Sequence, residues 1–225
     1  MKTFPLFILI IVSNLLISES EIEFSLNSDS IWRGITQNNG KPTVGANVYF
    51  SLENGFFSGA WIENCCSENS SYPNREIGYE FGYQKNLNEE IYLSVNYVGT
   101  NYPNSKLNNY DEIKTNIAFF NFNISYFIGL NSFPDYYEIS YNYDFKNISL
   151  YLSYGDFDSY KNDYFSNGSN YTFGINTLQK GFSISLDYYF YNAKASSDLD
   201  DDGLVFSISK KTSFWKFFHF HKVLE

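Results

Sequence analysis

The sequence predicts an all-β chain closing into a single transmembrane, antiparallel, up-and-down β-barrel of about twelve strands. Three observations predict it: apolar and polar residues alternate with period two from one end to the other, long and short connectors alternate between the strands, and no apolar run after the N-terminal one is long enough for a membrane helix. The stretch GFSISLDYYFY (181–191) shows the first. Phe182, Ile184, Leu186, Tyr188 and Phe190 fall on one side, and Ser183, Ser185, Asp187, Tyr189 and Tyr191 on the other. A strand points successive side chains to opposite faces, so one face is apolar and one is wet.

The N-terminus reads as a leader. Met1 and Lys2 precede FPLFILIIVSNLLI (4–17) and SES (18–20), a basic start, a short apolar core and small residues, which predicts a signal peptide over 1–20 cleaved after Ser20. The barrel is expected over 21–214, followed by a C-terminal tail over 215–225. Strands are expected at 21–33, 43–52, 56–64, 74–84, 90–100, 109–119, 122–131, 135–143, 148–157, 170–177, 181–191 and 203–214. The 21 Tyr and 23 Phe favour strands throughout.

Combs segregate in each. Val44, Ala46, Val48 and Phe50 oppose Asn47 and Tyr49; Phe122, Ile124, Tyr126 and Ile128 oppose Asn123 and Ser125; Tyr137, Ile139, Tyr141 and Tyr143 oppose Glu138, Ser140 and Asn142. The connectors ENG, DFKN and LQK are tight, as is the one at Asn121, and QKNLNEE is a little longer. Those at the other strand ends, ITQNNGKP, CCSENSSYP, NYPNSKLNN, FDSYKNDYFSNGS and NAKASSDLDDD, are long, with SFP the exception. Sorting by parity suits a barrel with short periplasmic turns and longer exterior loops. The apolar combs then face lipid and Asp187 faces a watery lumen. Trp32, Tyr97, Tyr143, Tyr188 and Phe190 are expected on outward combs at the headgroup level.

Several stretches resemble the TorF-type porin family of bacterial outer-membrane barrels. SDSIWRGITQNNGKPTVGANVYFSLENGFFSGAWIEN (28–64) is similar to that family's opening hairpins, EIGYEFGYQ (76–84) to a later strand, NYPN and NYDEI to its next loop, and GLVFSISKKTSF (203–214) to its closing strand. The resemblance implies an outer-membrane barrel with a pore role. In the closing strand Leu204, Phe206, Ile208 and Phe214 share one parity, the apolar comb that barrel-assembly machinery reads, but WKFFHFHKVLE follows it here.

Other features point away from chemistry. The net charge of -10 argues against nucleic acid as a partner. The two cysteines, Cys65 and Cys66, are adjacent, which predicts loop thiols and no disulfide framework. DLDDDG (198–203) places Asp198, Asp200 and Asp202 like the first half of a calcium loop, but Ser209 stands where the bidentate glutamate belongs, so a solvated acidic loop is expected and no metal. His219 and His221 lack a third ligand. Both histidines lie in the tail and no nucleophile motif is present, so no catalytic residue and no enzyme activity are expected. The sequons at Asn69, Asn123, Asn147, Asn167 and Asn170 follow from an Asn-rich composition.

The lumen is where function is expected. Asp29 and Arg33 share the inward parity of the first strand, roughly 13 Å apart along it, too far to pair with one another. Partners across the lumen are Glu80, Lys114, Glu138 and Asp187, giving either a constriction of opposed charges or a plug network. Inward Tyr49, Trp61, Tyr136, Tyr151 and Tyr189 are expected to fill much of the interior. The expected function is passive diffusion of small hydrophilic solutes or ions, cations over anions, through a narrow pore in the outer membrane of a Gram-negative bacterium. Its partners are outer-membrane lipid, the assembly machinery and the solute, with no cofactor. A plugged structural or adhesive barrel and a secreted soluble β-sandwich that binds carbohydrate are the alternatives.

Overall fold

Period-two patterning without interruption leaves the chain one way to satisfy its backbone: each strand must pair on both sides, and only closure removes the edges. The computed structural model describes residues 17–65, 75–103, 109–158, 168–194 and 200–213, and there the chain does close. The strands are β1 (Ile17–Asn27), β2 (Ile31–Trp32), β3 (Ile35–Thr36), β4 (Thr43–Leu52), β5 (Phe56–Asn64), β6 (Arg75–Asn86), β7 (Ile91–Asn101), β8 (Tyr110–Phe119), β9 (Phe122–Gly129), β10 (Tyr136–Phe145), β11 (Ile148–Phe157), β12 (Gly168–Gln179), β13 (Phe182–Ala193) and β14 (Asp201–Ser213). Twelve of them, β1 and β4 to β14, form one closed antiparallel barrel, and β2 and β3 form a separate two-stranded hairpin. Closure is between β1 and β14, in register from Glu21 opposite Ser213 to Asn27 opposite Ser207.

The apolar combs face out. Leu204 is 64% exposed, Val44 59% and Leu152 53%, and the outward rows continue through Phe81, Val95, Ile124, Ile139 and Phe173. The buried side is polar: Asn96, Glu112, Ser125, Ser140, Ser153 and Asn170 are all buried. This inversion, wet inside and apolar outside, suits a barrel of 8–13-residue strands in a lipid environment. Tyr97 stacks on Phe81 with ring centroids 5.2 Å apart, and Tyr143 and Tyr188 are exposed on the outer surface.

At one rim the turns are tight, and their geometry explains the residues in them. Lys180 (φ 51°) and Gly181 (φ 81°) make up the β12–β13 turn, while Phe120 (φ 49°) and Lys146 (φ 55°) occupy the corresponding positions of two others. Positive φ at these sites matches the right-handed twist of the flanking strands. The ends of β5, β7, β11 and β13 that lead into the longer connectors lie at the opposite rim.

The first strand departs from expectation. It ends at Asn27, not at residue 33, and 28–42 folds into the barrel. Asp29 causes the turn. One carboxylate oxygen accepts from the Ser30 N–H (2.8 Å), while the other accepts from the Thr36 hydroxyl (2.6 Å) and the Gly40 N–H (3.0 Å). Left-handed backbone at Arg33, Gly34, Asn39 and Gly40 completes the reversal. Trp32 therefore points into the lumen cluster described below and not to a lipid headgroup, correcting the outward placement.

Two further expectations change. Cys65 is disulfide-bonded and only 1% exposed, packed with Tyr102, Tyr110 and Phe133, so it is not a loop thiol. The acidic stretch is not simply solvated: Asp200 accepts from the Ala193 N–H, Asp201 from the Thr36 N–H, and Asp202 from the Tyr188 hydroxyl. The expectations for residues 1–16 of the leader, Cys66, Asn69, Asn167, Asp198, Phe214 and the tail with His219 and His221 lie outside the described residues.

Candidate functional site

The hairpin of β2 and β3 is a crossbar in the lumen. Four strands around the ring hold it. The Ser30 hydroxyl donates to Glu63 on β5 (2.5 Å), Arg33 reaches Glu112 on β8, Gly34 lies against Asn170 on β12, and the Thr36 N–H donates to Asp201 on β14 (3.0 Å). A side chain at Gly34 would run into the Asn170 side chain, and φ is +80° there, so close approach and backbone both call for glycine.

Arg33 is the centre of the crossbar. Its Nη2 donates to both carboxylate oxygens of Glu112 at 2.8 Å, with the two side chains 7% and 3% exposed. Its Cζ stands 4.2 Å from the Tyr136 ring centroid, 4.5 Å from Phe127, 4.6 Å from Trp32 and 5.4 Å from Phe157. A planar cation among aromatic faces, with a carboxylate at its edge, is held by quadrupole attraction and charge together. Tyr136 is itself fixed: its hydroxyl donates to Asn170 (2.9 Å) and its ring lies over Gly155, where any Cβ would collide with it.

Trp32 anchors the same hairpin to the wall. Its ring packs on Tyr110 (5.7 Å), Phe133 (6.0 Å) and Phe157 (5.5 Å), and Tyr110 stacks flat on Phe133 at 4.2 Å. Tyr102, just beyond β7, completes the cluster. Burial pushes its phenol far above the ordinary value, with Tyr110 and Glu76 adding to the shift, so it stays a neutral hydroxyl.

Beside the hairpin lies a cavity of about 520 Å³. Five carboxylates line it, Asp29, Glu63, Glu76, Glu138 and Asp187, and Arg33 is the one cation among its described lining residues. Since Arg33 already pairs with Glu112, the lining is left predominantly acidic. Trp61, Tyr151 and Tyr189 add aromatic surface, and Trp61 donates its Nε1–H to Glu76 (2.7 Å).

The sequence matches the family described as bacterial protein of unknown function (Gcw_chp) over residues 18–214. The chain belongs to this family. No curated protein matches it. Among solved structures, this Gcw_chp chain is similar in fold to the KdgM porin, with a TM-score of 0.60 at 9% identity over 86% of this chain and 99% of that one. A KdgM porin in complex with disordered oligogalacturonate gives 0.58 at 8% identity, covering 87% and 98% of the two chains. The NanC porin gives 0.56 at 7%, covering 86% and 98%. At such identities the likeness is one of fold: a porin-like, twelve-stranded barrel.

Of the six lumen residues expected in this Gcw_chp protein, four share the cavity: Asp29, Arg33, Glu138 and Asp187. Glu138 lies near the Tyr136 hydroxyl (3.2 Å), and Asp187 accepts from Ser185 (2.9 Å). Glu80 and Lys114 stand elsewhere on the wall, Glu80 accepting from Asn96 (2.7 Å) and Lys114 lying 5.2 Å from the Phe127 ring. Asp29 serves the hairpin's turn, and Arg33 pairs with none of the four partners named for it. Alternation alone does not single out its partner Glu112, although Glu112 shares the inward parity of Lys114 two residues on. Nor does it single out Glu63 and Glu76, directly opposite each other across β5 and β6.

Proposed function

We propose that the chain is a narrow porin of a Gram-negative outer membrane, of the TorF type, that passes small cations and small hydrophilic solutes around an inward hairpin. The observation that carries this reading is the acidic cavity beside that hairpin. Five carboxylates with no unpaired cation among the described lining residues set a negative potential in a low-dielectric enclosure, which concentrates cations and excludes anions. An anionic oligosaccharide such as the one in the KdgM complex is a poor match for that charge. The outward apolar combs support an outer-membrane location reached through the assembly machinery and a leader at 1–20, cleaved after Ser20, of which Ile17–Ser20 stand at the start of β1 in the uncleaved chain. Glu80 and Lys114 line the route away from the hairpin's cavity in this reading, with 215–225 as a tail.

Reversal potentials across planar bilayers under a salt gradient test the reading. Cation preference that falls in Glu138→Gln and Asp187→Asn supports it, and anion preference contradicts it. A second reading, a plugged structural or adhesive barrel, has one observation in its favour: the hairpin touches β5, β8, β12 and β14. An inserted barrel that shows no conductance steps would favour that reading.

A further inference from the structure

The side chain that fixes the hairpin occupies a pocket built by the barrel wall. Glu112, Phe127, Tyr136 and Phe157 come from β8, β9, β10 and β11, consecutive strands of one ladder, so their arrangement is set by the barrel and not by the hairpin. Glu112 is 2% exposed and Tyr136 1%, and Asn170 and Gly155 hold the tyrosine in place. A buried carboxylate beside three aromatic faces, 4.2 to 5.4 Å from the centre of a planar cation, has the composition of a guanidinium receptor.

Its present occupant fits imperfectly. Arg33 has a backbone φ of +50°, which a side chain other than glycine adopts only at a cost, and its Nη1 is buried with no hydrogen-bond partner among the described residues. A free cation entering the same pocket carries neither the strained backbone nor the fixed approach that orphans Nη1.

We infer that the wall pocket of Glu112, Phe127, Tyr136 and Phe157 is a binding site for guanidinium- or ammonium-bearing solutes, with Arg33 as the resident ligand. A solute cation that displaces Arg33 frees the hairpin and widens the lumen. The binding step stands on the pocket alone; the widening rests on the pore reading. Because a tethered group competes at an effective concentration in the millimolar range, the free cation must reach that range to displace it.

Chemical rescue tests the binding step without any channel recording. Arg33→Ala protein, refolded in detergent, is titrated with guanidinium chloride at millimolar levels, with sodium chloride at equal concentration as the reference. Barrel heat stability is read from the shift in electrophoretic mobility, and tryptophan fluorescence, recorded in a Trp61→Phe, Trp215→Phe background, reports on Trp32. The expected result is that guanidinium restores the stability and emission lost in Arg33→Ala, that sodium does not, and that Arg33→Ala with Glu112→Gln is restored by neither. Equal effects of the two salts, or rescue that survives Glu112→Gln, would overturn the site. If Arg33→Ala does not fold, Arg33→Lys supplies a weaker occupant, and guanidinium should shift its emission several-fold more than that of wild type; an unchanged response would overturn the site as well.

Planar-bilayer recording then tests the widening. Guanidinium is expected to raise wild-type unit conductance above its sodium level, and Arg33→Ala is expected to be wide without it. Rescue with unchanged conductance steps would overturn the widening. Rescue in a barrel that never conducts, wild type or variant, would instead overturn the pore reading and leave the pocket standing.

Discussion

At the scale of single residues, Arg33 and Glu112 govern the lumen because each is buried with the other as its main compensation. Removing one partner of such a pair leaves an uncompensated charge, a loss of about 3–5 kcal/mol. Glu112→Gln is therefore expected to unseat the hairpin, seen as faster hydrogen exchange at the Gln37 N–H, which bonds to the Ser30 carbonyl across the hairpin. Gly34→Ala reaches the same end by another route: a Cβ at φ +80° against the Asn170 side chain is expected to cost more than about 1 kcal/mol and to speed exchange at the same amide. Exchange unchanged in both variants would contradict the crossbar. The inward parity of Arg33 was legible in the sequence, but its partner was not, because parity names a face and not a neighbour. Glu112, Glu80 and Glu138 are equivalent on that test. Choosing among them requires the path of 28–42, which turns on the three donors that Asp29 collects.

At the scale of elements, the barrel's backbone ladder closes without the hairpin, which is tied to the wall by bonds to wall side chains. The barrel ladder runs β1 to β4 and β1 to β14 without β2 or β3. Replacing 30–40 by a short Gly-Ser linker is therefore expected to leave the barrel closed, with heat-modifiable mobility retained, while unit conductance rises several-fold. Loss of the barrel in that variant would show the hairpin to be part of the fold's support. The twelve strands were legible because alternation is a local property that each segment carries by itself. The same local property makes the first strand look longer than it is. SLNSDSIWR keeps an alternating pattern, while the reversal depends on a carboxylate gathering the Thr36 hydroxyl and Gly40 N–H from seven and eleven residues away. Trp32 went with it: an aromatic at a strand end reads as a lipid anchor until the strand is seen to end five residues earlier. Cys65 shows a related limit, since its burial comes from Tyr102, Tyr110 and Phe133 on other segments.

At the scale of the whole molecule, an inverted barrel with an acidic lumen and a net charge of -10 makes an electrostatic prediction that no single contact carries. Cation preference should weaken as salt rises, because the Debye length falls from about 10 Å at 0.1 M to about 3 Å at 1 M. Selectivity that does not change with ionic strength would place its origin in size and not in charge. The double variant Glu138→Gln, Asp187→Asn should start lower and depend less on salt, since it removes two of the five carboxylates around the cavity.

The central claim, an open but hairpin-narrowed, cation-preferring lumen, is tested most directly by single-channel recording of the refolded barrel in a planar bilayer, wild type beside the 30–40 linker variant, under a salt gradient. The account predicts small, cation-selective steps for wild type and larger, still cation-selective steps for the variant. Steps of equal size in the two proteins, or a preference for anions in either, would contradict it.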